Sequence, residues 1–181
     1  MYGIVNKAIE ELVKENFGED KWQIILEKSG IDAEFFISNE PYDDDITFKL
    51  AMTISSEMNM SLRDVLIEFG EWWILKTAKE RYGYLLASGG NNCRDFIINL
   101  PIFHNRIIMM YPKLSPPEFK VTDIQEQVLK LHYISTRKGL SDFVYGLISG
   151  LGKFYQTETN IEYLESKEAP GTYDIFRISW K

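Results

Sequence analysis

CRDFIINLPIFHNRIIMMY, residues 93–111, is the stretch on which the reading of this chain turns. Ile97, Leu100, His104, Ile107, Ile108 and Tyr111 recur at helical spacing, one apolar face of a helix. Pro112 marks its end, and beyond it the pattern changes. Upstream everything reads as helix. Ile4/Val5, Ala8/Ile9 and Leu12/Val13 fall four apart, and Gly18 ends that run. Lys21–Lys28 is a short helix stopped by Gly30, and Ile46–Met58 follows an acidic loop, Asn39–Asp45. Ser61 caps a further helix whose stripe is Leu62, Val65, Leu66, Phe69 and Trp73. Downstream, Ser115-Pro116-Pro117 punctuates. Phe119–Asp123 and Gln125–Ser135 have strand character, and Gly139–Tyr155 returns to helix. Asn160–Lys181 reads as a hairpin around Ala169-Pro170-Gly171-Thr172. The expected class is α+β: a helical N-terminal lobe to about residue 60, then a mixed lobe with a small antiparallel sheet.

Bulk properties narrow the function classes. The chain has 181 residues and is 45% hydrophobic, enough for one domain of two lobes with a sizeable core. Net charge is −7, from 20 basic and 27 acidic residues, which argues against nucleic acid or an anionic membrane as partner. No apolar run approaches the roughly 18 residues of a membrane span. The opening MYGIVNKAIEEL lacks the charged, apolar and small-residue regions of a signal peptide. A single cysteine, Cys93, can form neither an internal disulfide nor a thiolate cage. A cytoplasmic location is the expectation.

Two histidines occur, His104 and His132. A lone histidine on an apolar helix face is usually a satisfied core residue, yet a neutral imidazole there can also bind iron axially. His132-Tyr133-Ile134-Ser135-Thr136-Arg137 supplies the second feature. Strand alternation would point Tyr133, Ser135 and Arg137 to one side, two hydroxyls and a guanidinium suited to a pair of carboxylates. This clamp begins 133 − 104 = 29 residues after His104, with Pro116-Pro117 between them. Either feature alone is weak; together, in that order, they are specific.

These residues resemble the H-NOX (haem-nitric oxide/oxygen-binding) domains, found alone in bacteria and as the sensor part of soluble guanylate cyclase. The likeness spans the chain: Met1-Tyr2-Gly3-Ile4-Val5-Asn6, Phe69-Gly70-Glu71, His104, Pro117, Tyr133/Ser135/Arg137 and Gly146-Leu147-Ile148-Ser149-Gly150. The resemblance implies haem b between the two lobes, His104 as its sole protein ligand, and Tyr133, Ser135 and Arg137 on the propionates. It puts Pro117 against the macrocycle and Val5, Trp73, Phe143 and Leu147 in the distal wall. Asp44 is a possible partner of Arg137, with a solvated loop the alternative. Gly70 matches a glycine linked to motion between lobes, with close packing the alternative.

Ligand choice follows from the distal side. Members that hold O2 use a distal tyrosine. Phe143 occupies that place and cannot donate, and Tyr145, about 200° around the helix, should face elsewhere. Trp73 has an indole donor, with apolar packing the alternative. The resemblance therefore implies an NO sensor that also binds CO and holds O2 poorly. NO would weaken the Fe–His bond and free the His104 helix, and a partner protein would read the change. The length leaves no room for an output domain, so a separate histidine kinase or cyclic-di-GMP enzyme is the expected partner. The competing readings are an O2-binding member with another distal donor, a haem enzyme such as a peroxidase, and a haem-free module for a hydrophobic ligand. The peroxidase lacks a distal acid–base group, since His132 adjoins the propionate motif. Pro101, three residues before His104, either kinks its helix or restarts it.

Overall fold

A computed structural model describes residues 1–33, 35–110, 116–165 and 173–181. The expected turn at Ala169–Thr172, and Tyr111, Pro112 and Ser115, lie outside the described residues. The chain divides into two compact units, Met1–Phe69 and Gly70–Lys181.

The first unit is helical. It contains α1 (Gly3–Phe17), α2 (Glu19–Ser29), α3 (Asp44–Met58) and most of α4 (Leu62–Trp72). Its core joins Ile4, Ala8, Ile9 and Val13 of α1 to Trp22 and Ile25 of α2 and Leu50, Ala51 and Ile54 of α3. Glycine does the stopping where expected. Gly18 after α1 and Gly30 after α2 have φ of 86° and 65°, values at which a side chain is strained. Ser61 caps α4 as its sequence suggests, its Oγ accepting the Asp64 N–H at 3.1 Å. Asp44 takes the Met1 ammonium at 2.5 Å, which ties the acidic loop to the start of α1.

The second unit carries the sheet. α4 runs into a π-helical segment, Trp73–Ala78, and then α5 (Lys79–Ala87). After α6 (Cys93–Met110) come β1 (Glu118–Thr122), β2 (Val128–Ile134), α7 (Ser141–Phe154), β3 (Thr159–Glu165) and β4 (Asp174–Trp180). The four strands pair antiparallel in the order β1-β2-β4-β3. Leu129, Leu131 and Tyr133 of β2 lie opposite Ile178, Phe176 and Asp174 of β4, and all six are buried. That alternation packs one face of the sheet beneath α6 and α7, which contribute Phe96, Ile97, Leu100, Val144, Ile148 and Leu151. The α+β class stands.

Local readings differ in four respects. β2 begins at Val128 and stops at Ile134, three residues later and one earlier than its propensity suggests. α6 does not restart at Pro101 but runs through it, which leaves one backbone hydrogen bond unmade. Ile108, part of the expected apolar stripe, is 38% exposed, so the buried face of α6 lies toward its first half. The π segment replaces what reads as ordinary helix. A π turn closes i→i+5 bonds and lodges one extra residue, which hydrophobic spacing does not reveal.

α7 approaches α4 and the π segment unusually closely. A Cβ on Gly70 would sit 2.3 Å from the Phe143 carbonyl oxygen and 2.7 Å from the Leu147 nitrogen. A Cβ on Gly150 would lie 3.0 Å from Ile74 Cβ. Glu71 fastens the same contact, accepting from Ser149 Oγ at 2.6 Å and from Lys153 Nζ. Gly70 is thus a close-packing residue.

Candidate haem site

His104 sits on α6 with its ring 4.7 Å from that of Phe119, at an interplanar angle of 59°. Phe119 on β1 in turn meets Tyr133 on β2 at 5.6 Å. On the other side Phe103 lies 6.1 Å from the imidazole and 5.1 Å from Phe96. An aromatic row therefore leads from His104 to the proposed carboxylate clamp. Pro117 directly precedes β1, two residues before Phe119.

The surroundings decide the protonation state of His104. Desolvation pushes its pKa down to about 4, and the Leu100 carbonyl one turn back offsets this only slightly. Nδ1 is enclosed and has no partner of hydrogen-bond geometry. The imidazole is neutral near pH 7, with a lone pair available to a metal. This is the donor that a haem iron takes.

Tyr133, Ser135 and Arg137 do come together, though not by strand alternation, because β2 ends before Ser135. Local hydrogen bonds hold them instead. The Arg137 N–H donates to Ser135 Oγ at 3.0 Å, and the Ser135 hydroxyl bonds to Tyr133. Tyr133 is buried, and desolvation raises its pKa, so it stays a protonated donor. The Arg137 guanidinium pulls the other way and the Asp174 carboxylate adds to the rise. Two hydroxyls and a guanidinium gathered at one strand end fit a pair of carboxylates.

Asp174 has no sequence signal. It is wholly buried on β4, opposite Tyr133, and accepts hydrogen bonds from Tyr163 at 2.5 Å and from Ser141 at the start of α7. It links three elements beside the clamp.

The other expected residues divide between the units. Val5 lies half-buried on α1 in the first unit. Trp73 opens the π segment, and Phe143 and Leu147 lie on α7, all half-buried in the second. Tyr145 packs with Leu147 and Trp73 against the core of the second unit. His132 faces away from Tyr133, its Nε2 2.7 Å from Thr122 Oγ1. Cys93 is buried, and desolvation pushes its thiol up to about 11, which disfavours the reactive thiolate. Among the described residues no group of three or more His, Cys, Asp or Glu could cage a metal ion. A single imidazole beside a carboxylate clamp suits a macrocycle that brings its own four nitrogens.

The Haem-NO-binding (HNOB) family model matches residues 2–163. The chain belongs to the haem-NO-binding, or H-NOX, family. It is 29% identical over 84% of its length to soluble guanylate cyclase gcy-32 of Caenorhabditis elegans, and 25% identical over 99% to gcy-33. It spans 23% and 19% of those two relatives. The fold matches an H-NOX protein from S. oneidensis in the Fe(II)NO ligation state, with TM-score 0.89 and 19% identity, over 100% of this chain and 99% of that one. It also matches a mutant of T. tengcongensis H-NOX, with TM-score 0.87 and 24% identity, over 100% and 98%. H-NOX domains bind haem b and form a family of haem-based gas sensors rather than catalysts. Among the described residues no helix is long and apolar enough to cross a membrane.

Proposed function

We propose that this H-NOX domain is an NO sensor, binding CO as well and O2 poorly, with His104 as the proximal ligand to ferrous haem. The haem supplies the iron at which a diatomic gas coordinates. The observation that carries the reading is the enclosed, neutral imidazole of His104, joined by the Phe119 ring to Tyr133. Tyr133, Ser135 and Arg137 hold the propionates, and Pro117 presses on the macrocycle. Val5, Trp73, Phe143 and Leu147 form the distal wall. Phe143 supports the choice of gas, because a phenyl ring offers bound O2 no hydrogen bond.

His104 is the only covalent tie from α6 to the iron in this reading. Haem held by His104 would supply a site for NO, and a weaker hold by His104 would leave α6 free to move relative to β1. A separate protein, such as a histidine kinase or a cyclic-di-GMP enzyme, reads the two states by its different affinity for them. Cytoplasmic residence follows from such a partner.

His104→Gly tests the assignment. The variant should lose stable haem and regain a ferrous haem spectrum when imidazole is supplied. An unchanged ferrous spectrum without imidazole would show that another residue binds the iron.

A further inference from the structure

Asp174 is the only charged side chain that is buried among the described residues. A carboxylate taken out of water is costly unless donors meet it. Asp174 meets donors on two different elements. Tyr163 on β3 donates to one of its oxygens at 2.5 Å, and Ser141, the first residue of α7, donates to the other. The positive end of the α7 dipole lies beside the same carboxylate and offsets its charge. Leu140, which caps α7, offers no side-chain hydrogen bond, so the bond from Ser141 to β4 is what fastens the start of this helix.

Further fixed points follow along α7. Phe143 stands two residues beyond Ser141, and its carbonyl oxygen lies where a Cβ on Gly70 would approach to 2.3 Å. Ser149 and Lys153 are held by Glu71. Gly70 and Glu71 are neighbours in α4, whereas Asp174 grips the beginning of α7 from the sheet. Phe143 therefore sits between anchors on two different elements. The sheet anchor adjoins the clamp, because Asp174 lies opposite Tyr133 in the register of β2 and β4.

The geometry points to Asp174 as a positioning residue: through Ser141 it sets where the first turn of α7 stands, and so how Phe143 bears on a bound gas. The inference rests on the haem-sensor reading, which puts Phe143 in the distal wall, and adds to it an anchor beside Tyr133.

Two variants each remove one hydrogen bond from the same carboxylate, which separates this role from general stability. Ser141→Ala frees the start of α7, and Tyr163→Phe frees only β3. The infrared C–O stretch of the ferrous CO complex reports the surroundings of the gas. Amide hydrogen exchange on the same protein reports opening of the first turn, where the Val144 N–H donates to the Leu140 carbonyl at 3.0 Å. Ser141→Ala should shift or split the stretch and speed exchange over that turn. Tyr163→Phe should do neither, and Asp174→Asn, which keeps an acceptor for Ser141, should keep the wild-type stretch. In a Phe143→Ala background Ser141→Ala should no longer move the stretch. An unchanged stretch or unchanged exchange in Ser141→Ala, an equal shift in Tyr163→Phe, or a shift that survives Phe143→Ala overturns the inference. If Ser141→Ala does not retain haem, Ser141→Cys, whose thiol is a weak donor, gives the same comparison against Tyr163→Phe. Wild-type protein that takes up no haem refutes the sensor reading itself. A CO complex whose stretch ignores Ser141→Ala refutes this inference alone.

Discussion

Gly70→Ala sets two opposing effects against each other. Alanine is the better helix former, and in an open helix the change gains about 1 kcal/mol. At Gly70 the new methyl would lie 2.3 Å from the Phe143 oxygen, 2.7 Å from the Leu147 nitrogen and 2.8 Å from the Gly146 carbonyl carbon. Ordinary contact begins at 3.4 Å, so the first approach is short by 3.4 − 2.3 = 1.1 Å. All three atoms are backbone, and no rotamer change relieves them. α7 must shift by roughly an ångström, straining the Glu71 contacts with Ser149 and Lys153. Overpacking of this kind costs about 1–3 kcal/mol, with larger values when backbone must move. The clash should win by up to about 2 kcal/mol, lowering Tm by up to about 8 °C for a chain of this size. Gly83 in α5 is the control, because a Cβ there would meet nothing within 4 Å. Gly83→Ala should be stabilising by up to about 1 kcal/mol. Urea denaturation of both variants beside wild type, followed by circular dichroism, gives the comparison. If Gly70→Ala is as stable as Gly83→Ala, the close packing of α7 on α4 is not what requires glycine, and the argument fails.

Haem-free protein should lose stability in mild acid. His104 has a folded pKa of about 4, below its ordinary value of 6.5. The unfolded chain therefore takes up the proton first, and stability falls as pH drops from about 6.5 toward 4, by up to about 3 kcal/mol for this 2.5-unit gap. Urea midpoints measured across that range should fall more steeply for wild type than for His104→Gln, and equal slopes would remove His104 as the cause. Asp174→Ala removes the wholly buried carboxylate that accepts from Ser141 and Tyr163 and should cost about 1–3 kcal/mol, with Asp174→Asn milder because it keeps an acceptor; thermal melts of the two variants would expose an error if their order were reversed. Phe143→Tyr should introduce an O2 complex in air, visible in the absorption spectrum of the reduced protein, and an unchanged spectrum means that a phenol at this position does not reach the ligand.

Much of this protein was legible from residue order, because the signals are short-range. Gly18 and Gly30 end helices through their own backbone freedom, and Ser61 caps α4 through a hydroxyl three residues from its partner. His104 on an apolar face, Pro117 and the Tyr133/Ser135/Arg137 set were enough to place the chain in its family, and the family model bears this out. The same order did not reveal how the clamp is held, because the Ser135 hydrogen bonds, and not strand pairing, bring its members together beyond Ile134. It gave no hint of the π segment, since one inserted residue leaves the apolar spacing nearly intact. Asp174 shows the limit most plainly. Its partners Ser141 and Tyr163 are 33 and 11 residues away, and only the pairing of β3 with β4 and the packing of the start of α7 bring them to the buried carboxylate. Identity, local turns and the iron-binding candidate are written in neighbouring residues. Desolvation of His104 and the burial of Asp174 are set by chain segments far apart in sequence, so only the tertiary structure decides them.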